Sequence, residues 1–234
     1  LQNCTIEDNV VINQVGLIQN YIVRSHATIE FCGTLKTTDR PTFGNGIKIE
    51  AVNEGGGREV LLYHGLTAQT AYLLAFMRHR PKFVESLENL IWAEIKNVQS
   101  ETGVIGHHAH VRSVNTLHDV MVGDYATIEG ASILKNGTIN SSSSAPTFIG
   151  HGVIAYDFIA SYGSKIDNGS ILKKCFVGEA CAIDRQFSAE NSLFFANSQM
   201  YNGEACSVFA APYSVSHHKS TLLIATYCGS LNVA

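Results

Sequence analysis

The sequence predicts an all-β protein wound as a coil with three flat sides, and three observations carry that expectation. Aliphatic residues recur every six positions at Val11, Leu17, Val23, Ile29 and Leu35, and again at Ile105, Val111 and Leu117. After a slip of one residue the run continues at Val122, Ile128 and Leu134, and a third run is Ile171, Val177 and Ile183. Four residues after many of these the side chain is small, as at Ala27, Gly33, Ala109, Ala126, Ser132, Thr138, Cys175 and Cys181. Finally, residues that tolerate positive φ punctuate the runs at Gly123-Asp124, Asn136-Gly137 and Asn168-Gly169.

A period of six fits neither an α-helix, whose apolar positions fall at three and four, nor a plain strand, whose side chains alternate at two. A coil with corners satisfies it. Each hexad is then one short side, with the aliphatic residue inside and the small one beside the corner. Three hexads, about eighteen residues, close one turn. The phrases VGDYATIEGASILKNGTI (122–139) and GSILKKCFVGEACAI (169–183) carry the pattern most clearly.

Taken in order, the coil occupies roughly 4–36 and 105–187, with degraded spacing beyond, as a single domain broken by an insertion at about 37–104. Inside the insertion, EGGGREV (54–60) lacks the GK[ST] of a phosphate loop and precedes a strand-like LLY, so its glycines read as a tight loop. Thr67 can cap a helix running to Arg80, and Pro81 stops it. A second helix starting near Lys82 places Val84, Leu87, Ile91, Ile95 and Val98 on one face. The pair forms an inserted αα-hairpin. A Ser-rich loop, NSSSSAPT (140–147), bulges from a later turn of the coil. Phe187, Phe194, Phe195 and Phe209 are expected to fill the coil interior.

Composition narrows the function classes. With 45% hydrophobic and 15% charged residues, the chain is globular rather than disordered. A net charge of −4 without a basic patch argues against nucleic acid as a partner. No run of eighteen apolar residues is present, which argues against a membrane span. Six scattered cysteines without a CxxC pair read as reduced thiols, consistent with a cytoplasmic protein. LQNCTIEDNV has no signal-peptide character, and it and GSLNVA both read as the interior of a longer protein.

The hexads resemble the repeats of left-handed parallel β-helix proteins, the hexapeptide-repeat superfamily of acyl- and acetyltransferases that also contains the γ-class carbonic anhydrases. The longer phrases NEGGGREV, ATIEGASILKNGTINSSSSAPTFIGHGVIAYDFIASYGSKID and FSAENSLFFANSQMYNGEACSVFAAPYSVSHHKSTLLIA resemble a family of larger bacterial β-helix proteins of unassigned function. The resemblance implies a homotrimer and, by analogy with the acyltransferases, an acyl-CoA such as acetyl-CoA as cofactor. Their catalytic-loop motifs are not recognisable here, so no catalytic residue is carried over.

Candidate site residues therefore come from the chain itself. AAPYSVSHHKSTLL (210–223) gathers Tyr213, His217, His218, Lys219 and Ser220. His218 or His217 could act as general base toward an acceptor on a sugar, nucleotide sugar or small amine, with Lys219 holding an anion. His151 is a further candidate base, Glu204 a candidate orienting carboxylate and Arg58 a candidate anion contact. His107, His108 and His110, with His151, are the residues a γ-carbonic-anhydrase-like zinc site would draw on, although the His-x4-His spacing is missing. A non-catalytic scaffold or regulatory module of a larger protein is the third expectation.

Overall fold

Short strands and tight corners build one coil. The computed structural model describes residues 1–231; the final three residues of GSLNVA lie outside the described residues. A 14-stranded and a 9-stranded sheet, parallel throughout, stack successive turns of the chain, and the hairpin Lys48–Glu50/Glu59–Leu61 makes the third, antiparallel sheet. The larger sheet covers two sides of the coil because its seven-residue strands bend around a corner. Asp119, Asn136, Asp157, Lys174 and Asn191 take positive φ at the bend of Thr116–Val122, Ile133–Ile139, Ile154–Ala160, Ile171–Val177 and Ser188–Phe194. Asn and Asp tolerate that conformation best among residues with a Cβ. The architecture is a parallel β-helix with an inserted helical hairpin.

The rung is shorter than expected. His110 stacks on Thr127, Thr116 on Ile133, Ile154 on Ile171 and Lys165 on Ala182, each pair 17 residues apart. In these turns one side therefore has five residues instead of six; the turn carrying the Ser-rich loop takes 21 residues, and the last turns take 16 and 18. The one-residue slip between Leu117 and Val122 is that short side, and it recurs each turn. Extrapolating a strict six across it misplaces three residues. Val11 and Ile171 point outward, 49% and 47% exposed, and Leu17 is half-buried. Their neighbours Ile12, Ile18 and Leu172 take the inward places, stacked with Ile29, Leu35 and Ala155. The remaining repeat positions, among them Val111, Val122, Ile128, Leu134, Val177 and Ile183, line the interior at 0–1% exposure. Corner chemistry shifts too: Asn136, Asn168 and Gly169 take positive φ, but near Gly123-Asp124 it is Tyr125 that does so.

A second core lies outside the coil. The outward row Ile159, Phe176, Leu193 and Phe209 is apolar and buried because the insertion covers it with Ile49, Leu61, Leu74, Ile91 and Ile95. Phe187 and Phe194 fill the coil as expected, whereas Phe195 and Phe209 belong beneath the insertion. Helix α1 (Ala68–Phe76) is capped by Thr67, whose hydroxyl accepts from Thr70 N–H at 3.2 Å, and ends at Met77, short of Arg80. Helix α2 (Pro81–Val98) begins at the proline itself, whose fixed φ suits a first helical position, and buries Val84, Ile91 and Ile95. The EGGGREV glycines sit at the hairpin tip, with Gly56 and Gly57 at positive φ. Buried thiols add inert filling: burial pushes Cys175 and Cys181 each up to about 12, and both donate to backbone carbonyls.

Candidate functional site

The residues chosen along the chain do not converge. His217 is held in place: its Nε2 lies 3.0 Å from Gln199 Oε1, and its ring stacks on Tyr201 at 4.3 Å. Arg185 lies over the same tyrosine at 5.1 Å, which makes a ladder of flat groups along one side of the coil. His218, Lys219 and Ser220 occupy an exposed turn, and Tyr213 stands at a corner, 51% exposed. Glu204 belongs to the other sheet, where its strand stacks between Ser188 and Leu222, whereas His217 follows the strand Val215–Ser216 of the 9-stranded sheet. Glu204 nevertheless lies beside that turn, its backbone N–H donating to the Thr221 carbonyl at 3.0 Å, but among the described residues its side chain makes no hydrogen bond or ion pair with either histidine.

The other candidates are also dispersed. His151 is an exposed corner residue whose backbone N–H donates to Asp167 Oδ1 at 3.1 Å. Arg58 lies over the Phe76 ring at 5.3 Å, on the insertion. His108 stacks between His26 and Tyr125 at 4.7 and 4.8 Å, while His107 Nδ1 meets Ser25 Oγ at 2.8 Å. His110 faces out from a flat strand. Among the described residues no group of three or more His, Cys, Asp or Glu could hold a metal ion.

A different cluster does converge, where the chain leaves the coil for the insertion. Thr38 N–H donates to Asp119 Oδ1 at 2.7 Å, and Thr38 Oγ1 donates to the same carboxylate at 3.2 and 3.3 Å. His118 Nε2 lies 3.0 Å from Thr38 Oγ1 and 3.2 Å from Asp119 Oδ2. With the threonine proton committed to the carboxylate, Nε2 must be the donor, and the neutral ring keeps its lone pair on Nδ1. Burial first, then the neighbouring Lys36 and Lys135, hold the imidazole below the ordinary histidine value, against the opposing pull of Asp119. At neutral pH the contact is therefore a hydrogen bond from a neutral ring rather than an ion pair. The His118 and Asp119 side chains remain 17% and 14% exposed, so the group is sheltered yet reachable.

The fold explains the convergence. Lys36, His118 and Lys135 stand in direct cross-strand register, facing outward between the inward Leu35, Leu117 and Leu134 and the corner. Asp119 is the corner residue itself, at φ 56°. The dipeptide His118-Asp119 was visible in the sequence; its partner Thr38 was not, because an insertion of more than sixty residues separates them. Hollows lie elsewhere: two adjoining cavities of about 260 and 420 Å³ between α1 and the covered face share Ala68, Gln69 and Pro212. Aromatic groups such as Phe176, Tyr72 and Tyr227 line them, and Glu179 is the carboxylate among their described lining residues.

A parallel β-helix carrying a histidine–carboxylate pair on its outer side is thus the class that fold and site define. The chain belongs to the family described as a domain of unknown function (DUF4954), whose model matches residues 1–234. A Treponema pallidum (strain Nichols) protein described as uncharacterized is 28% identical over 246 aligned residues, which cover 100% of this chain and 34% of that protein. The chain spans about a third of the length of that relative.

Proposed function

We propose that this chain is an acyl-coenzyme A dependent transferase core of the hexapeptide-repeat class, with His118 as general base. One observation carries the reading: His118 is the imidazole in contact with a carboxylate, Asp119, among the described residues. Such a pair orients the ring and stabilises the imidazolium that forms when a proton arrives. In this reading Nδ1 takes the proton of an acceptor hydroxyl or amine on a sugar, nucleotide sugar or small amine. The acceptor heteroatom attacks the thioester carbonyl, and the coenzyme A thiolate leaves and recovers the proton. The acyl donor is assigned by the resemblance of the hexads to the acyltransferases.

The same resemblance supports a homotrimer. The outward row Ile133, Ile154 and Ile171 offers apolar surface on the flat side that carries His118. Thiols kept apart and bonded to backbone, as at Cys32, Cys175 and Cys181, suit a reducing, cytoplasmic setting. The test is thermal unfolding with acetyl-CoA: at a hundred times its Kd, a ligand specific to the native state adds about 2.7 kcal/mol and raises the midpoint. An unchanged midpoint at millimolar acetyl-CoA would contradict the acyltransferase reading. A second reading, a non-catalytic module of a larger protein, is favoured by the match to only 34% of the relative.

A further inference from the structure

We propose that Lys36 and Lys135, on either side of His118, form a phosphate-binding site, so that the substrate of the His118 site is a phosphorylated small molecule. The proposal rests on the reading of His118 as a reacting group and adds what recognises its substrate.

Three cation-forming side chains occupy consecutive places on one outward row: His118 is the register partner of Lys36 on one strand and of Lys135 on the next. With the ring neutral, the two ammonium groups stand on either side of it. Elsewhere on this row a lysine has its counter-charge, since Lys173 donates to Glu190 at 2.7 Å. Neither Lys36 nor Lys135 ion-pairs among the described residues. The two corner carboxylates nearby are already engaged: Asp119 accepts from Thr38 through both its backbone N–H and its hydroxyl and contacts His118, and Asp157 accepts from the Asn136 side chain at 2.6 Å. Neither makes an ion pair with Lys36 or Lys135 among the described residues. Adjacent strands lie about 4.8 Å apart, so the two lysine strands are about 10 Å apart and two four-carbon stems can close on one phosphoryl group above the imidazole. A phosphate, with its two charges and several acceptor oxygens, satisfies both ammonium groups at once. Tyr156, next on the row after Lys135, and the adjoining Ile133 and Ile154 provide surface for the body of the ligand.

Calorimetric titration with inorganic pyrophosphate at low ionic strength tests this, with proton NMR of the His118 ring as a second readout. Saturable binding is expected, accompanied by an upward move of the His118 titration midpoint, because a nearby anion favours the imidazolium. Lys36→Ala with Lys135→Ala should weaken binding about tenfold or more, while Lys173→Ala, whose charge is already paired, should change it by less than about twofold. The single variants Lys36→Gln and Lys135→Gln serve if the double variant does not fold. Absence of saturable binding, or equal weakening by Lys173→Ala, overturns the site. His118→Gln separates the two claims. Pyrophosphate binding kept within about threefold with turnover unchanged removes the general base and leaves the anion site; turnover lost in a protein that never binds pyrophosphate does the reverse.

Discussion

His118→Gln is expected to lower turnover by about 10²- to 10⁴-fold, the usual contribution of a positioned general base, with the fold unchanged. Glutamine keeps an N–H to offer Thr38 and Asp119 but has no basic nitrogen, so the loss reports the chemistry of Nδ1. The pH profile carries independent information. Burial, Lys36 and Lys135 lower the proton affinity of the ring below its ordinary value of 6.5. The free base is then the neutral-pH species, so kcat/KM should be flat through neutrality and fall only as pH drops through a midpoint below 6.5. Removing the two lysines should move that midpoint up, because two neighbouring positive charges no longer oppose protonation. A midpoint above 6.5 in the wild-type protein, or a His118→Gln enzyme of full activity, would refute the assignment.

Leu172→Ala is expected to cost about 2–5 kcal/mol in urea unfolding, and Ile171→Ala less than about 1 kcal/mol. The two residues are adjacent and of similar size, but Leu172 is fully buried in the coil and Ile171 is 47% exposed. Truncating Leu172 removes its transfer energy and leaves a void between Ala155 and Ala189, its register partners, neither of which can fill it. Truncating Ile171 removes surface that is half in water already. A coil of strict hexads would reverse the order, so equal costs or a larger cost at Ile171 would contradict the 17-residue rung.

These contrasts show what could be read from the chain and why the rest could not. Interior positions such as Ile128 and Leu134 were legible because each side of the coil must bury one large aliphatic group. Val11, Leu17 and Ile171 fall outside the interior because the five-residue side recurs along the coil, as between Ile18 and Val23 and between Leu172 and Val177, and a strict period of six does not carry across it. The covered row of Ile159, Phe176, Leu193 and Phe209 escaped notice because its spacing of 17 and 16 is not a multiple of six. Helix α1 was legible from Thr67, while its end was not, since no residue before Pro81 forces a stop at Phe76.

The site was harder to see. His217, His218 and Lys219 are dense along the chain, but His217 is held by Gln199 and Tyr201 while His218 and Lys219 stand exposed, so density alone does not assemble a sheltered base–carboxylate pair. Thr38 and His118 meet only because the chain returns to its coil in register after the insertion. With the rung length known, the 17-residue interval from His118 to Lys135 would have exposed part of the cluster from sequence alone.

That return in register is the claim on which the site depends, and a cysteine cross-link measures it most directly. Thr34 is the register partner of Thr116, which in turn partners Ile133. Neighbouring strands stand about 4.8 Å apart, within the Cα span of a disulfide, and next-but-one strands at about 10 Å lie beyond it. Mild oxidation of a Thr34→Cys, Thr116→Cys protein should join the two peptides, as read by mass spectrometry, while Thr34→Cys with Ile133→Cys should stay unjoined. A link in the second protein and none in the first would show that the strands carrying Lys36 and His118 are not neighbours.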